Sequence, residues 1–292
     1  MKIGFIIGTP RSGKSRVFEA LVSSGNFAWI SEYHNYFNII KLSSLINKIY
    51  DIPLIGYRLY KINGISKYLP HPIETNSFWE KKISQFNSPN KSDISMHEID
   101  NIRELIKNSC SWQGKELFIS EYSKWSRVNE FTKVDPAAKF LHLTRDGRAV
   151  AYEYYKMIVN SNYNEWNMRQ EWIESWPQTW KDDFEKYSDS VLVYCVYLWK
   201  FQLMKIKEET MTLHRDQYLE IRYEDLVKDP EYNFLKIADF FEMKFNKRLS
   251  DYIINSNFRN MNYEWEQELT PEQKNILNDI INETDYLKYL DV

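Results

Sequence analysis

Eight residues near the N-terminus, Gly8-Thr9-Pro10-Arg11-Ser12-Gly13-Lys14-Ser15, constrain this chain more than any other segment. They follow a short Ile-rich run, Lys2 to Ile7, that reads as a buried strand. They lead into Lys14 to Ser24, where Val17 and Leu21 mark one apolar face of a helix. In a strand–turn–helix setting, successive backbone N–H groups point at an anion, and glycine lets a phosphate approach the backbone closely. Lys14, Ser15 and Arg11 add charge and hydrogen-bond donors. A tight turn that merely happens to hold Gly and Lys is the plainer account. With only 8 glycines among 292 residues, that coincidence is a poor explanation of the pattern.

The rest of the chain continues in kind. Short apolar runs at Phe27 to Ile30, Leu117 to Ser120, Lys139 to Leu143 and Tyr218 to Arg222 read as strands. Between and after them, Ile99 to Asn108, Gly147 to Ile158, Ser190 to Met211, Pro230 to Phe241 and Pro271 to Ile281 read as helices. The alternation implies an α/β fold, a P-loop-like three-layer sandwich with a central, mostly parallel sheet and helices on both faces. Residues 1–292 are expected to form one domain. An irregular insertion at about 50–97 carries Pro53, Pro70, Pro72 and Pro89, and long insertions of this kind are often functional. Trp172, Trp176 and Trp180 share helical spacing but are interrupted by Pro177, and they read as packing before sugar stacking.

Charge and cysteine content narrow the partners. A net charge of −3 leaves no basic footprint for nucleic acid. No run of 18 apolar residues offers a membrane span. Cys110 and Cys195 stand far apart, without metal-type or redox spacing, so a cytoplasmic setting and no bound metal are expected.

The letters of the loop also fit GxxxxGK[ST], so an enzyme using ATP or GTP is the first rival. Such enzymes hold Mg²⁺ with the loop hydroxyl and an acidic residue ending a second strand, here Ser15 and Glu121. Three further segments bear on the choice. In Lys139 to Lys156, Arg145 falls at a strand end, where open α/β sheets bind ligands, and it and Arg148 lie at the mouth of the next helix, well placed for a second phosphate group. Ile119 to Arg127 offers Ser123, Lys124 and Arg127. Arg222-Tyr223-Glu224-Asp225-Leu226 closes another strand.

Taken together, PRSGKS, SEYSK, LTRDGRAVA, IRYEDLVKDP and FRNMNYEW (Phe258 to Trp265) resemble, in order and spacing, the sulfotransferases of the soluble bacterial type that use 3′-phosphoadenosine 5′-phosphosulfate (PAPS). The resemblance runs from residue 3 to about 280 and leaves the 50–97 insertion unmatched. It implies that Arg11, Ser12, Gly13, Lys14 and Ser15 bind the 5′-phosphosulfate end, with Arg11 beside the leaving oxygen. Arg145 and Arg259 would reach the 3′-phosphate, and Tyr223 would lie near the adenine. Where the family usually has a serine that donates to the 3′-phosphate, this chain has Glu153. A carboxylate there repels the phosphate unless it is turned away or neutralised.

Sulfuryl transfer needs a base for the acceptor proton and cations on the departing charge. Ser31-Glu32-Tyr33-His34 follows the second strand; Glu32 matches the acidic base of some relatives and His34 the imidazole base of others. The implied reaction is in-line transfer from PAPS to a hydroxyl or amine of a saccharide, lipid or small-metabolite acceptor, without a metal. A P-loop kinase or nucleotidase using ATP and Mg²⁺ is the alternative, as is a catalytically silent nucleotide-binding protein of the same fold.

Overall fold

The structure, a computed structural model, describes residues 1–36, 40–52, 69–72, 75–84, 86, 88, 94–123, 125–160, 169–188 and 190–281. Among these residues five strands form a sheet: β1 (Lys2–Ile7), β2 (Phe27–Trp29), β3 (Leu117–Glu121), β4 (Lys139–Thr144) and β5 (Tyr218–Arg222). Their order is β2-β3-β1-β4-β5, and each pair is parallel. Register places Phe5 of β1 opposite Ser120 of β3 and Phe140 of β4.

Strand side chains alternate between two buried layers. Ile3, Phe5, Phe118 and Phe140 pack on one face, against the helices Met96–Gln113 and Val128–Val134. There the Phe5 and Phe131 rings stack with centroids 4.0 Å apart. Ile6, Ile119, Leu141 and Ile221 pack on the other face, against Lys14–Ser23, Pro230–Phe240 and Lys247–Asn255. Burial from both sides is why the strands read as apolar runs rather than alternating ones. A third apolar cluster joins Gly147–Asn160 to the long helix Val191–Thr210. The α/β layering expected from the sequence is the one observed.

Several boundaries move for local reasons. The helix expected from Ile99 begins at Met96, because Ser95 caps it. The Ser95 hydroxyl accepts from the Glu98 N–H, and the Glu98 carboxylate accepts in return from the Ser95 N–H at 2.8 Å. It runs on to Gln113 and ends at Gly114, whose φ of 70° suits glycine. Within the supposed irregular insertion, residues 53–68 lie outside the described residues, but Asn76–Glu80 is a helical turn. Its Trp79 is fully buried and donates Nε1–H to Ser120 Oγ at 3.1 Å. Pro177 does split the tryptophan segment, into Arg169–Glu174 and Gln178–Lys186. Trp172 and Trp176 belong to the core and Trp180 stacks on Tyr197, so the three pack. No helix among the described residues is long and apolar enough to cross a membrane.

Candidate active site

Parallel strands release the chain at one edge of the sheet, and the sequence places its polar motifs there. After β1 comes the loop Gly8 to Ser15. Gly8 takes a φ of 143°, and a Cβ on it would lie 2.3 Å from the Leu143 carbonyl oxygen. Gly13 takes a φ of 93°, and its Cβ would lie 2.9 Å from the Tyr223 ring. Between them Arg11 holds a φ of 65°, an uncommon conformation for a residue with a side chain. Lys14 is buried and donates Nζ–H to Thr9 O at 2.8 Å, bending its ammonium back over the loop. Ser15 Oγ donates to Glu121 Oε1 at 3.0 Å, which joins the loop to the end of β3.

After β4 comes Arg145, 6% exposed. Its Nε donates to Asn262 Oδ1 and its Nη1 to Arg11 O, each at 2.8 Å, and its guanidinium lies 4.5 Å from the Tyr223 ring centroid. Asn262 Nδ2 donates to Glu224 Oε1, which also accepts from the Asp146 N–H at 2.9 Å. After β5, the Tyr223 hydroxyl donates to Arg259 O at 2.6 Å. Burial raises the Tyr223 phenol above its ordinary 10, against the opposing pull of Arg145. Asn257, with its amide oxygen turned to Arg259, accepts from Nε and Nη2 at 2.8 Å each. Four segments remote in sequence are thus tied around one space.

That space is a cavity of about 890 Å³. Arg11, Lys14, Arg16, Arg145 and Arg259 face it against two carboxylates, Glu121 and Glu153. Tyr223, Leu226, Val227 and Phe258 supply apolar wall. Arg145 Nη2 and the Ser123 hydroxyl are buried there with no hydrogen-bond partner among the described residues. Unpaired buried donors beside an excess of cations suit an anionic ligand with a flat apolar end.

The structure brings Arg11, Gly13, Lys14, Ser15, Arg145, Glu153, Tyr223 and Arg259 to this wall. Ser12 sits beneath the loop, fully buried, its N–H donating to Thr9 O at 3.3 Å. Arg148, considered for a phosphate contact, is engaged elsewhere. It makes a two-nitrogen contact with Asp146, at 2.8 and 3.1 Å, and lies over Trp265. Arg127 is likewise a buried clip, donating to the carbonyls of Phe86 and Ser88, and Lys124 lies outside the described residues.

Glu32 and His34 are not on the wall. Both Glu32 carboxylate oxygens accept from the His71 N–H, at 3.0 and 3.1 Å. His34 is buried, its Nδ1 accepting from the Ser31 N–H at 3.2 Å. Burial, only partly offset by Ser31, lowers its pKa to about 4, so the ring is neutral at pH 7. Sequence reasoning missed Asn262, Arg16 and Met157, whose places depend on the fold. Asn262 lay within a quoted motif, but nothing local marked it as Arg145's partner.

A family model described as the sulfotransferase family matches residues 5–247. Among solved structures, the chain is similar to sulfotransferase STF9 of Mycobacterium avium, with a TM-score of 0.59 and 12% identity over 100% of this chain and 77% of that one. It is also similar to sulfotransferase STF1 of Mycobacterium tuberculosis H37Rv, with a TM-score of 0.54 and 9% identity over 96% of this chain and 76% of that one. The sulfotransferase domain of the Synechococcus PCC 7002 olefin synthase gives 0.50 and 16%, over 99% of this chain and 93% of that one. At such identities the likeness speaks for the fold alone. No curated protein sequence matches the chain.

Proposed function

The chain belongs to the sulfotransferase family, and from that premise we propose that it transfers a sulfuryl group from PAPS to a hydroxyl or amine of a saccharide, lipid or small-metabolite acceptor. One observation carries the reading. A loop built for phosphate shares a wall with Arg145, whose Nη2 is buried and has no hydrogen-bond partner among the described residues.

In this reading the backbone of Gly13 to Ser15 and the Lys14 ammonium hold the 5′ end of the donor. Arg145 and Arg259 hold its 3′-phosphate, and Tyr223 lies near the adenine. The donor supplies an activated sulfuryl group on a phosphate leaving oxygen. Arg11, at the cavity's edge, then stabilises charge developing on that oxygen as the sulfur–oxygen bond breaks. The bonds from Arg145 to Asn262 and Arg11 O fix the guanidinium before the nucleotide arrives, which limits the ordering cost of binding.

A second reading is favoured by one contact. A loop hydroxyl beside a strand-end carboxylate, as in Ser15 and Glu121, is the pairing with which P-loop enzymes hold Mg²⁺ for phosphoryl transfer. Calorimetric titration of 3′-phosphoadenosine 5′-phosphate (PAP) and of ATP, each with Mg²⁺ and with EDTA, separates the two. PAP binding that survives EDTA is the expected result; binding of ATP alone, and only with Mg²⁺, would overturn the donor assignment.

A further inference from the structure

Beside the main cavity lies a shallower opening of about 270 Å³, lined by Arg11, Glu153, Lys156, Met157 and Asn160. Arg11, Glu153 and Met157 border both spaces, so the two meet at these residues. The geometry has a simple origin. Lys156, Met157 and Asn160 stand three, four and seven residues after Glu153 on the helix Gly147–Asn160 and share one face with it. Arg11 reaches that face from the loop, its Nη2 donating to Met157 Sδ at 3.3 Å.

The two charges at this junction are not paired with each other among the described residues, although Glu153 acts on Lys156, whose pKa it helps to raise. Glu153 makes no hydrogen bond or ion pair among the described residues, and Arg11 makes no ion pair there. The other carboxylate of the main cavity, Glu121, is 1% exposed and accepts from Ser15, whereas Glu153 is half-buried and borders the opening. Glu32 takes the His71 N–H instead of facing the cavity.

We propose that Glu153 is the base that takes the acceptor's proton, and that the acceptor is a polyhydroxylated alcohol entering by the side opening. The inference rests on the PAPS reading. As the acceptor oxygen's electron pair forms the new bond to sulfur, its proton passes to the Glu153 carboxylate. The bond from sulfur to the 5′-phosphate oxygen breaks, its electron pair stays on that oxygen, and PAP leaves. Arg11 faces the departing charge and Glu153 the incoming oxygen. Asn160 offers a donor to the acceptor's other hydroxyls, as does Lys156, which also pairs with Glu264 at 3.6 Å. On this account the glutamate is suited to the acceptor and not a misfit beside the 3′-phosphate.

The test compares acceptors that do and do not need a base: methyl glucoside, and 4-nitrophenol above its pKa, which arrives ionised. Glu153→Gln should lower turnover of the glucoside by roughly 10²–10⁴-fold, the usual range for a general base, and of the phenolate by less than about tenfold. Glu153→Asp should recover part of the glucoside rate, and PAP affinity measured by calorimetry should hold within about threefold in both variants. Equal losses on both acceptors would overturn the proposal, since the phenolate needs no base. So would full glucoside turnover with tighter PAP binding, which would put the carboxylate beside the 3′-phosphate. Loss on the glucoside in Glu32→Gln alone would return the base to the segment after β2. If the parent chain binds PAP yet transfers to neither acceptor, the acceptor assignment falls; if it does not bind PAP, the donor reading falls, and this inference with it.

Discussion

The guanidinium of Arg145 lies 4.5 Å from the centroid of the Tyr223 ring, so the residue that follows β4 and the one that follows β5 brace each other beside the cavity. With Nε on Asn262 and Nη1 on Arg11 O, Nη2 is the guanidinium nitrogen with no partner among the described residues. Arg145 therefore both builds the site and offers it a donor.

Replacing Arg145 with alanine should weaken PAP at least tenfold, the loss of a charge-assisted contact being about 1.5–3 kcal/mol. Adenosine 5′-phosphosulfate, which lacks the 3′-phosphate, should lose much less, and calorimetry of both nucleotides checks this. Arg145→Lys should not restore binding, because one ammonium cannot reproduce a planar fork that reaches Asn262, Arg11 O and the ligand at once.

Arg11 is exposed, and among the described residues its side chain hydrogen-bonds Met157 alone. Arg11→Ala should lower kcat by roughly 10²–10³, the usual cost of one lost stabiliser of developing charge, and change PAP affinity by no more than about threefold. Pre-steady-state transfer with saturating donor distinguishes this from a simple binding defect.

Gly13→Ala should destabilise the fold by about 1–3 kcal/mol, because a side chain there must hold a φ of 93° and press on Tyr223. Urea unfolding measures the loss. Pairing it with Tyr223→Ala should relieve the part due to the ring and leave the part due to the backbone.

His34 supplies a pH signature. Its folded pKa of about 4, lowered by burial, lies below the ordinary 6.5, so the unfolded chain binds more protons between those values. The stability it contributes is present above pH 6.5 and is lost as pH falls through 4. The slope is at most about 1.4 kcal/mol per pH unit. His34→Gln should flatten the unfolding free energy across pH 6.5 to 4; an unchanged slope would assign the pH dependence to other groups.

The strands and the loop were legible because each is a local pattern: a run of buried residues, a glycine where only glycine fits. Met96–Gln113 was placed three residues late at its start, since its cap depends on a serine–glutamate exchange that apolar spacing does not register. The partners of Arg145 were not legible, because Asn262 is 117 residues away and meets it only through the fold. Arg148 misled for the opposite reason: its partner, Asp146, is two residues away and satisfies the charge locally.

The wall from Ser256 to Met261 is contributed by chain that follows the last strand, which ends at Arg222. Synthesis runs from the N-terminus, so this wall is made last. Every described strand of the sheet is therefore made before the residues that close the cavity and before Asn262, which holds Arg145. A chain halted between Arg222 and Ser256 would carry the Gly8–Ser15 loop and all the described strands, yet lack this wall of the cavity. The cavity is thus completed late, by chain made after the whole described sheet.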